Sequence, residues 1–263
     1  MEPQEVIEHL DDTAVVIDTP FAAEATAPAL TRIRLWDLPT RLFHWSLVAA
    51  VTTAIVTGKV GGTWMELHGK AGLFIVGLVA FRLAWGFLGS RYARFLTFLP
   101  TPGGILSYLK GQWQGAGHNP LGAFSVFGLL ALLGAQAVTG LLGNDSNAFY
   151  GPLFALVDES FSNKLTGWHH QLSNVLLVLI GLHVAAIAFY LTFKRDNLVK
   201  PMVTGWKDVP RGNQSAGRAR PIAFIVSLLI AALAVYAASG AFLPKEAPPA
   251  EVVPSAVQQA PAW

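Results

Sequence analysis

The chain has no cysteine. That excludes disulfides, thiolate-held iron–sulfur clusters, thiolate-ligated haem and haem attached covalently through a Cys-x-x-Cys-His run. A haem in such a chain has to be held by histidine or methionine. Charge is scarce too. Only 13% of the 263 residues are charged, and mean hydropathy is +0.47. Ordinary soluble domains carry about 25% charged residues, so the composition points to a membrane bundle. A secretory signal is missing: Glu2, Glu5, Glu8, Asp11 and Asp12 are acidic where a signal needs positive charge. There is also no internal repeat, no glycine-rich phosphate loop and no nucleic-acid signature. Residues 1–30, rich in Ala, Thr and Pro, read as a disordered extension.

What is present is a set of five apolar segments. They run roughly Leu42–Thr57, Ala71–Leu88, Leu121–Leu142, His170–Phe193 and Ile222–Ala241. Each approaches the about twenty residues needed to cross a bilayer, the first being the shortest. In lipid each must be helical, because its backbone groups find no water. The expected fold is an all-α membrane protein whose first four spans fall within residues 31–210. A linker and accessory fifth transmembrane helix follow at 211–241, then a disordered tail at 242–263. Thirteen Lys and Arg flank the spans on one side and four on the other. The excess marks the cytoplasmic side, so the N-terminus is expected inside and the C-terminus in the periplasm. Between spans two and three, Ile105–Leu109 reads as a short interfacial helix.

Chemistry is concentrated in histidine. His169 and His183 are fourteen residues apart in one apolar segment. That spacing returns them to nearly the same helix face, about 21 Å apart along the axis. One metal cannot use both; two stacked centres can. Topology supplies the partners: His68 opens the second span on the outer side, and His44 opens the first on the cytoplasmic side. Two bis-histidine haems follow, His68 with His169 outside and His44 with His183 inside. His170 faces away from this stripe. His118, before Asn119-Pro120, reads as a turn residue, and His9 lies in the extension. Arg82 lies fourteen residues after His68, on the same face and at the inner depth, where a haem propionate would suit its guanidinium. Gly69, Gly72 and Gly181 are small residues beside the ligands. Gln136 and Thr139 of the third span are read as interhelical hydrogen-bonding groups.

At these residues the chain resembles the bacterial cytochrome b561 family, in the branch close to the b-type cytochrome subunit of nickel–iron hydrogenases. The motifs are Trp36-Asp37-Leu38-Pro39-Thr40-Arg41-Leu42-Phe43-His44-Trp45, Leu67-His68, Phe81-Arg82-Leu83-Ala84-Trp85-Gly86-Phe87 and Gly89-Ser90-Arg91-Tyr92-Ala93-Arg94-Phe95. His118-Asn119-Pro120-Leu121-Gly122-Ala123, Leu165-Thr166-Gly167-Trp168-His169-His170, Leu182-His183-Val184-Ala185-Ala186 and the run Asn197–Gly205 continue the match. The resemblance covers roughly residues 31–210 and implies a four-helix transmembrane di-haem bundle there, holding two haems b and passing electrons between a quinone pool and a redox partner in a respiratory chain. It carries ligation onto His44, His68, His169 and His183. It places the protein in the bacterial inner membrane.

The expected partners are quinone, membrane lipid and either a periplasmic c-type cytochrome or a hydrogenase; a homodimer is open. Two rivals come from other classes. A transporter with a histidine–arginine proton relay predicts broken helices and an inverted repeat. A non-redox membrane anchor predicts histidines with purely structural partners.

Overall fold

The computed structural model describes residues 30–145, 149–217 and 220–244. The expected disorder of residues 1–30 and 242–263 therefore falls almost wholly outside the described residues. Seven α-helices and one strand pair are present among them. Strand β1 is Leu30–Arg34, and helix α1, Leu38–Val60, follows it directly. Then come α2 (Met65–Leu88), α3 (Pro102–Leu109), α4 (Pro120–Leu142), α5 (Glu159–Thr192), α6 (Val199–Thr204), strand β2 (Trp206–Pro210) and α7 (Pro221–Ala238). Helices α1, α2, α4, α5 and α7 are long and apolar enough to cross a membrane. None of the five is interrupted. Large aliphatic residues lie bare on their outer faces, among them Val178 and Leu182 of α5 and Leu229 and Leu233 of α7, all at least 60% exposed. In water such a surface aggregates; in lipid it is the correct solvent.

The helices begin where short polar side chains meet proline. Asp37 Oδ1 accepts from the Thr40 amide at 2.7 Å, with Pro39 in the first turn of α1. Asn119 Oδ1 does the same for Gly122 at 2.7 Å, ahead of Pro120 in α4. These side chains satisfy amides that lack an intrahelical partner, and proline has no amide to orphan. Two spans are longer than their apolar runs predict. Helix α1 has 23 residues, so the first span is not the shortest; α7 is, with 18. Helix α5 starts at Glu159, capped by Asp158, and runs for 34 residues. At 1.5 Å per residue it is about 51 Å long, so its polar first turns stand beyond the apolar slab.

Helices α1 with α2, α4 with α5, and α2 with α4 pack side by side. Their common core is Ala50, Val51, Ile75, Val79, Leu133 and Leu176, one cluster drawn from all four. Leu176 sits midway between His169 and His183, so this apolar plug divides the bundle into two polar levels. Helix α7 packs along the outside of α2. The fit is close at Gly77, where a Cβ would come within 2.8 Å of Val235 Cγ2. Phe224 of α7 meets Phe81 and Trp85 edge-on.

The antiparallel pairing of β1 with β2, from Leu30 opposite Pro210 to Arg34 opposite Trp206, closes one end of the bundle. Ile33, Leu35, Trp36, Ala116 and Val209 are buried beneath it. Gly205, with φ +87°, turns the chain from α6 into β2, and its carbonyl accepts from the amides of Leu35 and Trp36 at 2.8 and 3.2 Å. We call this the sheet end and the opposite end the far end.

Candidate functional site

The far-end level is built from four helices. His68, near the start of α2, leans on α1: its Nδ1 lies 2.8 Å from the Ala54 carbonyl oxygen. One turn further along α1 is Gly58, where a Cβ would stand 3.0 Å from the His68 ring. His169 repeats the arrangement on the other helix pair. Its Nδ1 lies 3.0 Å from the Gln136 carbonyl oxygen on α4, and one turn on is Gly140, where a Cβ would stand 2.9 Å from the His169 ring. In each case a carbonyl at one position and a glycine four residues later let an imidazole lie flat against a neighbouring helix.

This geometry fixes the tautomer. A carbonyl oxygen only accepts, so each Nδ1 carries the proton and each Nε2 keeps its lone pair. The Thr139 hydroxyl lies 3.2 Å from His169 Nδ1, and the Gln136 side-chain nitrogen lies 3.1 Å from His169 Nε2. The two rings face each other edge-on, 6.0 Å between centroids and 82° between planes. Both border one cavity of about 360 Å³, which Gly58, Gly69, Gly72 and Gly140 also line. Gly72 faces open space. Small residues thus open a slot where a flat ligand can approach the backbone.

The sheet-end level holds His44 of α1 and His183 of α5, close enough to act on each other electrostatically. Its histidines are supported differently. His183 Nδ1 lies 3.2 Å from the Ser125 hydroxyl of α4, and His44 Nδ1 is buried without a partner. Arg82 is 3% exposed. Its Nη1 donates to the Ala93 carbonyl at 3.0 Å, and its guanidinium lies 4.6 Å from the Phe95 ring. Asp37 lies near it and also accepts from Trp85 Nε1 at 3.1 Å. Trp85 is fully buried. The motifs around Trp36, Arg82 and Arg91 are therefore one packed unit, which locks the start of α1 to the end of α2.

His118 lies just before α4, stacked between Trp36 at 4.7 Å and Phe98 at 4.5 Å. Its Nδ1 has no partner. Burial, with Arg82 and His183 nearby, pulls its pKa from 6.5 to about 3. It borders a second cavity, of about 510 Å³, at the sheet end with Tyr92, Phe98, Trp113 and Gln214. Asn119 Nδ2 donates to the Tyr190 hydroxyl at 2.6 Å, and Tyr190 also bonds Tyr108 of α3. His170, next to His169 and edge-on to its ring, also borders the far-end cavity.

The model of the prokaryotic cytochrome b561 family matches residues 35–205, nearly two thirds of the chain. The chain belongs to the prokaryotic cytochrome b561 family. It is a multi-pass membrane b-type cytochrome, an electron-transfer protein with haem b. Curated relatives agree at low identity. The "Probable Ni/Fe-hydrogenase B-type cytochrome subunit" of Azotobacter chroococcum is 26% identical over 216 residues, 67% of this chain and 89% of the relative. The corresponding hydrogenase 1 subunit of Escherichia coli K12 is 22% identical over 217 residues, 66% of this chain and 89% of its own. That of Cupriavidus necator is 22% identical over 241 residues, covering 75% and 96%. No solved structure matches.

Within this cytochrome the four singled-out histidines fall into two levels, as helix phase requires. Arg82 lies at the sheet-end level, with protein partners at Ala93 and Phe95. Sequence reasoning missed Ala54, Gly58, Ser125 and Gly140. A usable signal existed for the glycines: both lie on helices that neighbour a histidine-bearing helix. Nothing local, however, marks which glycine meets which ring. Gln136 and Thr139 do bond between helices, and their partner is His169 itself.

Proposed function

We propose that this protein is a di-haem electron-transfer subunit that connects a quinone pool with a redox partner, a nickel–iron hydrogenase being the first candidate. His68 and His169 would hold one haem b, and His44 and His183 the other. The observation that carries the reading is the far-end pair. Two imidazoles, each with Nδ1 committed to a carbonyl, border one glycine-lined slot, and of their Nε2 atoms that of His169 lies within reach of the Gln136 amide, which a metal would displace. Two metal–nitrogen bonds of about 2 Å plus the ring radii put centroids sharing one iron about 6 Å apart, and the observed spacing is 6.0 Å. No group of three or more metal-ligating side chains occurs among the described residues. A pair suffices when a macrocycle fills the other positions. The buried, unpartnered Nδ1 of His44, with His183 of α5 nearby, fits a second such group.

When bound, haem would supply a one-electron couple, held by His68 with His169 and by His44 with His183. The chain's own residues do the rest. The glycines admit the ring edge, the Leu133–Leu176 plug holds the levels apart and keeps water out, and Arg82 offers a buried cation to a carboxylate. The hydrogenase assignment rests on the names of the relatives. The cytoplasmic N-terminus rests on the Lys and Arg bias.

Alanine at each ligand tests the pairing. His68→Ala and His169→Ala should remove the same spectral component, His44→Ala and His183→Ala the other, and His170→Ala neither. If His44→Ala and His68→Ala abolish the same component, the pairing is wrong.

A further inference from the structure

The four histidines differ most in what their Nδ1 atoms meet. At the far end both meet backbone carbonyls, Ala54 at 2.8 Å and Gln136 at 3.0 Å, with the Thr139 hydroxyl at 3.2 Å as a further group on His169. At the sheet end, among the described residues, His183 Nδ1 meets the Ser125 hydroxyl at 3.2 Å, and His44 Nδ1 has no hydrogen-bond partner. We propose that this asymmetry sets the two haems to different potentials, the His44–His183 haem above the His68–His169 haem, with Ser125 as the positioning residue that tunes the upper one. The inference rests on the ligand assignment proposed above.

The physical reason is ligand basicity. An imidazole that donates its second N–H to an oxygen becomes more basic, gives more charge to its metal and is held in one orientation. A more basic ligand favours ferric over ferrous iron and lowers the potential. Two short carbonyl contacts do this at the far end. At the sheet end, one ligand has a longer contact to a hydroxyl and the other has no acceptor. Carbonyls of helix backbone cannot rotate away, whereas a serine hydroxyl can also donate. Arg82 and Asp37 stand together at the sheet end, and Lys59 and Asp145 both border the far-end cavity. Both ends thus hold charge of each sign, and the proposed order is argued from the hydrogen bonds.

The test is a spectroelectrochemical titration of purified, haem-loaded protein. The components are assigned by their loss in His169→Ala and His183→Ala, which also checks the ligand reading separately. The lower-potential component should be the one that disappears with His169→Ala. Ser125→Ala removes the hydroxyl beside His183 Nδ1 and should raise that haem further. Ser125→Asn supplies an amide oxygen and should lower it. A tenfold change in the reduced-to-oxidised ratio at fixed potential is a shift of about 59 mV for one electron, and shifts of that order or somewhat smaller are expected. The far-end haem should not move in either variant. Thr139→Val should raise the far-end haem by less than Ser125→Ala raises the other, because the Gln136 carbonyl remains. The inference fails if both haems bind with the assigned ligands yet the His68–His169 haem titrates higher, or if both Ser125 variants leave the potentials unchanged. If haem binds but His169→Ala and His183→Ala remove the same component, the ligand assignment fails instead.

Discussion

A histidine side chain can be a ligand, a hydrogen-bonding group or a packed ring, and its neighbours decide which. His68 and His169 have their Nδ1 protons taken by carbonyls, and both rings border one slot. His118 shows a different solution. It is wedged between Trp36 and Phe98 with no partner at Nδ1, and its pKa near 3 keeps it neutral. The consequence for stability has a definite sign. Unfolded, this group takes up a proton near 6.5; folded, it does not until about 3. The unfolded chain therefore binds more protons between those values, and stability falls as pH falls through that window. Thermal unfolding in detergent should show this loss between pH 6.5 and 4. His118→Phe, which keeps the stacked ring and removes the titration, should flatten it. An unchanged slope would assign the acid sensitivity to other groups. Sequence reasoning took His118 for a turn residue, and its place before α4 agrees. Its stacking partners lie 82 and 20 residues away, so nothing local announces them.

At the scale of elements, the apolar runs identified all five spans, because a bilayer leaves a twenty-residue apolar segment little choice but helix. Their ends were less legible. The first turns of α5 are polar, from Glu159 to Lys164, and lie outside any hydropathy signal, although Asp158 is a recognisable cap. The β1–β2 pair was invisible. Its strands are five residues each and lie 171 residues apart, and pairing across such a gap leaves no periodic pattern in either. Helix α7 was expected as an accessory, and its packing refines that expectation. It borders neither cavity yet is seated closely on α2, Val235 against Gly77 and Phe224 against Phe81. Gly77→Leu should push Val235 aside and cost about 1–3 kcal/mol of stability, as overpacking does. Its haem content should be unchanged. Deleting residues 218–263 should likewise lower the melting temperature without removing either haem. Loss of haem in both variants would make α7 part of the cofactor-holding bundle.

At the scale of the whole molecule, α5 is the post that relates the two levels. It is unbroken from Glu159 to Thr192, and it presents His169 to the far end and His183 to the sheet end on one face. By helix rise these residues are about 21 Å apart, with the apolar plug around Leu176 between them. A proton-relay transporter would need broken helices and polar continuity through that plug; the spans are continuous and the plug is aliphatic. The central claim is two haems b per chain, each held by two imidazoles. The most direct test is the haem-to-protein ratio of the purified protein, measured together with its low-temperature electron paramagnetic resonance spectrum in the oxidised state. The account predicts two haems per chain and two low-spin ferric signals of bis-histidine type. One haem per chain, or a high-spin signal from an iron with an open position in the wild-type protein, would contradict it.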